Sequence, residues 1–127
     1  MTSGSIYERE LKGLLESDGW TVIRSAGSLA VDLVALEPEN GHVMLLEVKS
    51  FKPKTFYISK SEKMKKQWKE MCKLEKMFNG HCSVFYALRK KGQKEIRFIH
   101  PHVLSKPYHW TEKGETHGGK EEKGAGR

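Results

Sequence analysis

The stretch from residue 31 to residue 50, VDLVALEPENGHVMLLEVKS, constrains the fold of this chain more than any other. Two apolar, β-branched runs, VDLVALE and HVMLLEVKS, flank the turn residues PENG, and this pattern predicts a β-hairpin. Asp32, Glu47 and Lys49 lie inside these runs, where charged groups are costly unless a partner compensates them. The sequence therefore predicts a hairpin that carries a cluster of charges.

The chemistry of this cluster follows from the geometry expected for a strand pair. Alternation puts Glu47 and Lys49 on one face, and the hairpin lets Asp32 approach both of them. Two converging carboxylates suit a hard cation, so Mg²⁺ is the expected ion, with Mn²⁺ as a substitute. Lys49 can then orient or deprotonate an attacking water, or stabilise charge on a phosphorane. The alternative is a hairpin with a surface salt bridge between Lys49 and either acid.

The rest of the chain predicts two helices and further strands. One helix is expected from Ser3 or Ser5 to about Ser17, and another from Ser59 or Ser61 to about Asn79. Strands are predicted at WTVIRS, CSVFYALRK and KEIRFIH, and a loop is predicted over residues 52–59. The resulting order, α-β-β-β-α-β-β, is that of an α/β fold with a central mixed sheet flanked by helices.

Length and composition place limits on the molecule. The 127 residues suffice for one domain, which we assign to residues 1–110, and the Gly-rich charged segment 111–127 is predicted to be a disordered tail. The net charge of +7 is compatible with a polyanionic partner. We expect neither a membrane span nor a signal peptide, and the two cysteines, Cys72 and Cys82, are expected to be buried thiols in a reducing compartment.

Other residues could assist the cluster. Glu8, at the margin of the apolar face of the first helix, is a candidate further carboxylate, and Arg9 and Arg24 are candidate phosphate contacts. The loop SAGSL brings hydroxyl groups close to Asp32. The lysines of the second helix either contact phosphates or form a solvated face; those assigned to DNA are Lys65, Lys66 and Lys69.

The second helix and the segment IHPH allow further interpretations. Met64, Trp68, Met71 and Phe78, together with the strand CSVFYAL, offer more apolar surface than one small core needs, which favours a homodimer. His100 and His102 are not expected to bind a metal, because Pro101 interrupts the strand and the sequence offers no third ligand.

Four motifs together resemble one family of nucleases. The pattern D…E-x-K is that of the PD-(D/E)xK superfamily, here with Val31 where a proline often stands. The segments YEREL at 7–11, VIRSAGS at 22–28, VDLVA at 31–35 and LEVK at 46–49 resemble the archaeal Holliday-junction resolvases of the Hjc type and their viral relatives. The resemblance covers roughly residues 4 to 100; the lysine-rich second helix and the tail depart from the family pattern.

The resemblance implies a restriction-endonuclease-like fold and a set of residue roles. It assigns metal binding to Glu8, Asp32 and Glu47, catalysis to Lys49, and a catalytic role to Ser28 on a mobile loop. It further implies a magnesium-dependent dimer that cuts four-way junction DNA in the cytoplasm of an archaeal or virus-infected cell. The alternatives are another nuclease of the superfamily, of restriction or repair type, and a basic DNA-binding module without activity.

Overall fold

A five-stranded mixed sheet organises the chain in a computed structural model, which describes residues 3–25 and 31–112. Its helices and strands are α1 (Ser3–Ser17), β1 (Thr21–Arg24), β2 (Leu33–Leu36), β3 (Val43–Phe51), β4 (Thr55–Phe56), α2 (Glu62–Met77), β5 (Ser83–Lys90), β6 (Arg97–Ile99) and β7 (Tyr108–His109). The strand order in the main sheet is β1-β2-β3-β5-β6, and β4 pairs with β7 in a separate two-stranded sheet. The predicted α/β class with a central mixed sheet is confirmed.

The hairpin predicted from the sequence is formed by β2 and β3. The two strands are antiparallel, with Leu33 opposite Leu46 and Leu36 opposite Val43. In the turn, Gly41 has φ of +69° and its N–H donates to the carbonyl of Glu37 at 2.8 Å. Glycine adopts this left-handed conformation without a steric penalty, so the PENG turn directs the chain back along the sheet.

The sheet buries apolar side chains on both faces. On one face α1 packs with Leu11 and Leu15 against Leu33, Leu46 and Ala87. On the other face α2 and the C-terminal segment cover a second cluster around Met71, Tyr86, Leu88, Leu104 and Trp110. The connection from β3 through α2 to the parallel strand β5 is the crossover that parallel pairing requires. Strand β3 therefore lies at the centre of the sheet, between α1 and α2.

The loop predicted over residues 52–59 is wrong in part. Thr55 and Phe56 form β4, opposite His109 and Tyr108 of β7, and Phe56 is buried. The pairing partner lies about fifty residues further along the chain, so local composition gave no sign of it. Of the two predicted starts of α2, the one at Ser61 is confirmed, since the Ser61 side chain caps the helix by accepting from the N–H of Met64. The helix ends at Met77, slightly before the predicted Asn79.

The surplus apolar surface expected on the second helix is mostly absent. Met71 is fully buried, Met64, Trp68 and Leu74 pack against the same cluster, and β5 is an interior strand. Phe78 remains 41% exposed. Apart from Phe78, those residues are therefore needed for the core of one chain, and the homodimer stays a prediction that must rest mainly on other surfaces.

The C-terminal residues that the structure describes pack onto the domain. Trp110 is buried, and its backbone N–H donates to the carbonyl of Lys54 at 2.8 Å. The guanidinium carbon of Arg97 lies 3.7 Å from the centre of the Trp110 ring. Cys72 and Cys82 are free and half-buried rather than fully buried. Most of the predicted tail, from residue 113, lies outside the described residues. No helix in the described parts of the chain is long and apolar enough to cross a membrane.

Candidate active site

Asp32 is held in the gap between β1 and β3, just before β2 begins. Its backbone N–H donates to the carbonyl of Leu46 at 2.9 Å, and its carbonyl accepts from the N–H of Ser25 at 2.8 Å. The side-chain Oδ2 accepts from the N–H of Val48 at 2.9 Å. The backbone of β3 thus fixes one oxygen of the Asp32 carboxylate next to Val48, which directly follows Glu47.

Glu47 lies in the middle of β3 and is almost completely buried, with 3% of its surface exposed. Its Oε2 accepts a hydrogen bond of 2.6 Å from Nε2 of Gln67, on α2. Its Oε1 is buried, and no hydrogen-bond donor among the described residues reaches it. A buried carboxylate oxygen without a donor is costly, so this atom is available to a ligand.

Burial and a neighbouring carboxylate disfavour the ionisation of each carboxyl group. Burial, and after it the charge of Asp32, raises the pKa of Glu47 to about 8. Burial also raises the pKa of Asp32, and the charge of Glu8 adds to this effect, although the hydrogen bond from Val48 opposes it. Burial and like charge therefore both favour the neutral forms of Asp32 and Glu47 when no metal is bound.

Lys49 is next to this pair, as strand alternation predicts. Its Nζ lies 3.5 Å from Oε2 of Glu47, and its side chain is 24% exposed. The ammonium group therefore lies between the carboxylate pair and solvent. Its charge lowers the pKa of both Glu47 and Asp32, but less than burial raises them.

Glu8 and Arg24 form an ion pair at the edge of the cluster. Nη2 of Arg24 lies 3.1 Å from Oε1 of Glu8 and 3.5 Å from the hydroxyl of Ser5. Nε of Arg24 is buried, with no hydrogen-bond partner in the described part of the chain. This ion pair joins the N-terminal half of α1 to the end of β1, close to Asp32. It holds the Glu8 carboxylate in a defined orientation.

The other residues assigned from the sequence are more dispersed. Arg9, Lys66 and Lys69 have exposed side chains, and Lys65 pairs with Glu62 at 2.8 Å on the first turn of α2. Ser28 lies outside the described residues. The structure therefore brings together Glu8, Asp32, Glu47 and Lys49. Of the candidate DNA contacts, Arg24 lies at the edge of this cluster, and the others lie on the surface.

Two residues of the site were missed from the sequence. Gln67 contacts Glu47 directly, and its position four residues before Met71 makes it a polar residue within the apolar stripe of α2, a signal that could have identified it. Tyr86 lies opposite Glu47 on β5; its hydroxyl is buried, and no partner among the described residues contacts it. Burial and the charge of Glu47 raise the pKa of Tyr86. Nothing in the sequence distinguishes Tyr86 from an ordinary core tyrosine.

The donor set fits a hard divalent cation. All three acidic side chains offer oxygen ligands, which Mg²⁺ and related ions prefer. The donor-free Oε1 of Glu47 is the observation that supports this fit, because a cation would satisfy it and would also relieve the repulsion between Glu47 and Asp32. The residues that would hold the ion are Asp32 and Glu47, with Glu8 nearby.

Comparisons with known proteins agree on one family. A family model described as archaeal Holliday junction resolvase (Hjc) matches residues 1–119. A curated relative from Methanocaldococcus jannaschii, named crossover junction endodeoxyribonuclease Hjc, is 40% identical over 102 residues, which cover 80% of this chain and 68% of the relative.

A solved structure from Archaeoglobus fulgidus, described as Hjc, a Holliday junction resolvase from an archaeal hyperthermophile, shares the fold. Its TM-score is 0.64 at 23% identity, and the match covers 87% of this chain and 80% of that one. The family model spans nearly the whole chain, and the Methanocaldococcus relative is similar over most of its own length. The chain therefore belongs to the archaeal Holliday-junction resolvase family.

Proposed function

We propose that this chain resolves four-way DNA junctions by metal-dependent hydrolysis of phosphodiester bonds near the branch point, with Mg²⁺ as the resident ion. The observation that carries the proposal is the pairing of the half-buried carboxyl group of Asp32 with the buried carboxyl group of Glu47, beside the Lys49 ammonium. Buried like charges are costly in a structural role. They are useful where a cation and a phosphate must be held together.

The bound ion would supply Lewis-acid polarisation of a water and of the phosphate oxygens. The chain's own residues do the positioning. The N–H of Val48 fixes Asp32, and Gln67 fixes Glu47, so that each carboxylate presents its remaining oxygen in a set direction. This fixed geometry reduces the reorganisation required when substrate binds.

Lys49 is the proposed catalytic residue. Its Nζ is at the solvent-facing side of the carboxylate pair, where a scissile phosphate has access. From there the ammonium orients the attacking water or stabilises the negative charge that develops on the phosphorane, whereas only the neutral amine can deprotonate that water. Ser28 is assigned a catalytic contribution through the family resemblance alone, and Glu8 is assigned as a further carboxylate that Arg24 orients.

Substrate binding is proposed to depend on basic side chains around this site. The chain has 23 Lys and Arg residues against 16 Asp and Glu residues, an excess that favours a polyanion. Three candidate contacts are exposed and accessible to phosphates: Arg9, Lys66 and Lys69. Lys65 would break its ion pair with Glu62 when it binds a phosphate. Arg24 can bridge Glu8 and a phosphate through its forked donors.

The working unit is proposed to be a homodimer. A four-way junction has two-fold symmetry and needs two nicks, while each chain supplies one cluster, so a C2 dimer would match the substrate. Leu14 of α1 is 53% exposed and Phe98 of β6 is 39% exposed, and both line one groove. These side chains replace those of α2 as the candidate contact.

The proposal is tested by incubating the purified protein with Mg²⁺ and matched four-way, nicked and linear duplex DNA. Cleavage confined to the four-way junction supports it. Cleavage of linear duplex would favour a restriction- or repair-type nuclease, and binding of junctions without cleavage would favour a non-catalytic DNA-binding module. Light scattering on the same sample should give the mass of two chains, and a mixture with Glu47→Gln should give heterodimers that nick one strand.

A further inference from the structure

A second group of metal-ligand side chains lies away from the candidate active site. Glu75 of α2, and His100 and His102 after β6, have ligand atoms that all lie within 4.8 Å of one another. Nδ1 of His100 lies 2.9 Å from Oε2 of Glu75, and Nδ1 of His102 lies 3.5 Å from Oε1 of the same carboxylate. The carboxylate therefore faces both imidazoles, one with each oxygen.

The fold makes this arrangement where the sequence pattern argued against it. Pro101 ends the strand, but it also begins a short 3₁₀ turn over Pro101–Ser105, closed by the N–H of Val103 donating to the carbonyl of His100 at 3.1 Å. That turn brings the two imidazole rings within 5.5 Å of each other, measured between centroids. The third ligand, Glu75, comes from a helix about 25 residues earlier in the chain, so no local sequence pattern links it to the two histidines.

One contact holds the turn against α2, and another holds it against β5. Nε1 of Trp68 donates to the carbonyl of Pro101 at 2.7 Å, and the ring of Phe85 lies 4.7 Å from that of His100. Pro101 is itself fully buried. The backbone beside the histidines is therefore anchored, and the group is preorganised rather than a chance approach of long surface side chains.

The donor chemistry selects a different ion from that of the active site. Two imidazoles and one carboxylate form a ligand set that zinc uses with a fourth position open. Ligands at zinc bonds of about 2.0–2.1 Å in a tetrahedron are about 3.3 Å apart. The three ligand atoms, one from each residue, lie within 4.8 Å of one another, so small side-chain rotations would bring them to that spacing. Mg²⁺ prefers oxygen ligands and is a poor match for imidazole.

The two groups are also separated in space. Glu75 is eight residues beyond Gln67 on α2, which corresponds to about 12 Å along the helix axis. We propose that Glu75, His100 and His102 form a second metal site, specific for zinc or a similar transition ion, that joins the turn after β6 to α2. The fourth position faces solvent, since the side chain of His102 is 69% exposed.

Zinc chloride titrated into untagged, metal-free full-length protein, followed by calorimetry, tests the proposal. His102→Ala and Glu75→Gln are expected to weaken zinc binding at least about 10-fold, on the scale of losing a metal-site contact. His81→Ala changes an exposed histidine outside the group and serves as the matched control, with unchanged affinity. Zinc should also raise the Tm of the wild type more than that of His102→Ala, because a ligand that binds the folded state stabilises it.

The same titration on Asp32→Asn separates this site from the proposed function. The site at Glu75 predicts that zinc binding survives in Asp32→Asn. Zinc binding that is lost in Asp32→Asn but kept in His102→Ala would place the ion in the active site and overturn the proposal. Absence of zinc binding at about 100 μM would overturn it as well, leaving a hydrogen bond between His100 and Glu75 as the whole role of the group.

Discussion

Replacing Glu47 with glutamine should stabilise the metal-free protein while it abolishes metal-dependent cleavage. The folded-state pKa of Glu47 is raised to about 8 from an ordinary value of 4.5, with burial as the main cause. For an acid with a raised pKa, both states are protonated below pH 4.5, so the group has no effect there. As pH rises from 4.5 towards 8, the unfolded chain loses its proton first, and the wild type becomes progressively less stable.

The size of this effect follows from the same shift. At pH 7 the solution is 2.5 pH units above the pKa of 4.5 that Glu47 has in the unfolded chain. Each unit corresponds to about 1.4 kcal/mol, so ionisation in the unfolded chain lowers the free energy of unfolding of the wild type by about 3 kcal/mol. Glutamine has the same shape and no charge to bury. Its amide can accept from Gln67 with one atom and donate to the neighbouring Asp32 with the other. For a chain of this length about 3 kcal/mol corresponds to a rise in Tm of roughly 10 °C.

Thermal or urea unfolding between pH 4.5 and pH 8, in the presence of a chelator, measures the effect. The gap between Glu47→Gln and wild type should be near zero at the acid end and should widen as pH rises. Glu39→Gln, which changes an exposed acid in the hairpin turn, is the control and should track the wild type throughout. A Glu47→Gln protein that is less stable than wild type at pH 7, or a gap that does not depend on pH, would contradict the reasoning. Saturating Mg²⁺ should narrow the gap, because it binds and stabilises the wild type preferentially.

Three further predictions concern individual contacts. Lys49→Ala should lower the single-turnover cleavage rate by about 100-fold or more with DNA affinity little changed; an unchanged rate with weakened affinity would make Lys49 a phosphate contact only. Gln67→Ala removes the 2.6 Å donor to Glu47 and should raise the Mg²⁺ concentration needed for half-maximal cleavage by about 10-fold, whereas equal Mg²⁺ curves would deny Gln67 a positioning role. Removing residues 113–127 should leave Tm within a few degrees of the wild-type value. Removing the chain from Tyr108 onwards should prevent folding, because Tyr108 and Trp110 are buried. A large drop in Tm after the shorter deletion would show that the tail is part of the domain.

Features that depend on neighbouring residues could be predicted from the sequence. The hairpin of β2 and β3 has apolar runs and a turn that are contiguous in the chain, and α1 has its apolar residues at helical spacing. The approach of Lys49 to Glu47 follows from the two-residue period of a strand. In each case, short-range geometry decides the structure.

Features that depend on distant residues could not. The pairing of β4 with β7 joins segments about fifty residues apart, and Trp110 is buried next to this pair. No local sequence pattern predicts either feature. The same reason applies to Glu75 beside His100 and His102. The apolar stripe of α2 was identified, but whether it faces a core or a partner depends on how much sheet and C-terminal segment it covers, which periodicity does not specify.

We propose that Asp32 and Glu47 hold the ion with which this chain cuts four-way junctions. The most direct measurement compares wild type and Asp32→Asn on a labelled four-way junction in Mg²⁺, with binding followed in Ca²⁺ by gel shift and cleavage followed by strand release. We expect the two proteins to bind the junction with similar affinity, because binding depends on the basic side chains, and we expect no detectable cleavage by Asp32→Asn. Junction cleavage by Asp32→Asn at the wild-type rate in Mg²⁺ would contradict it.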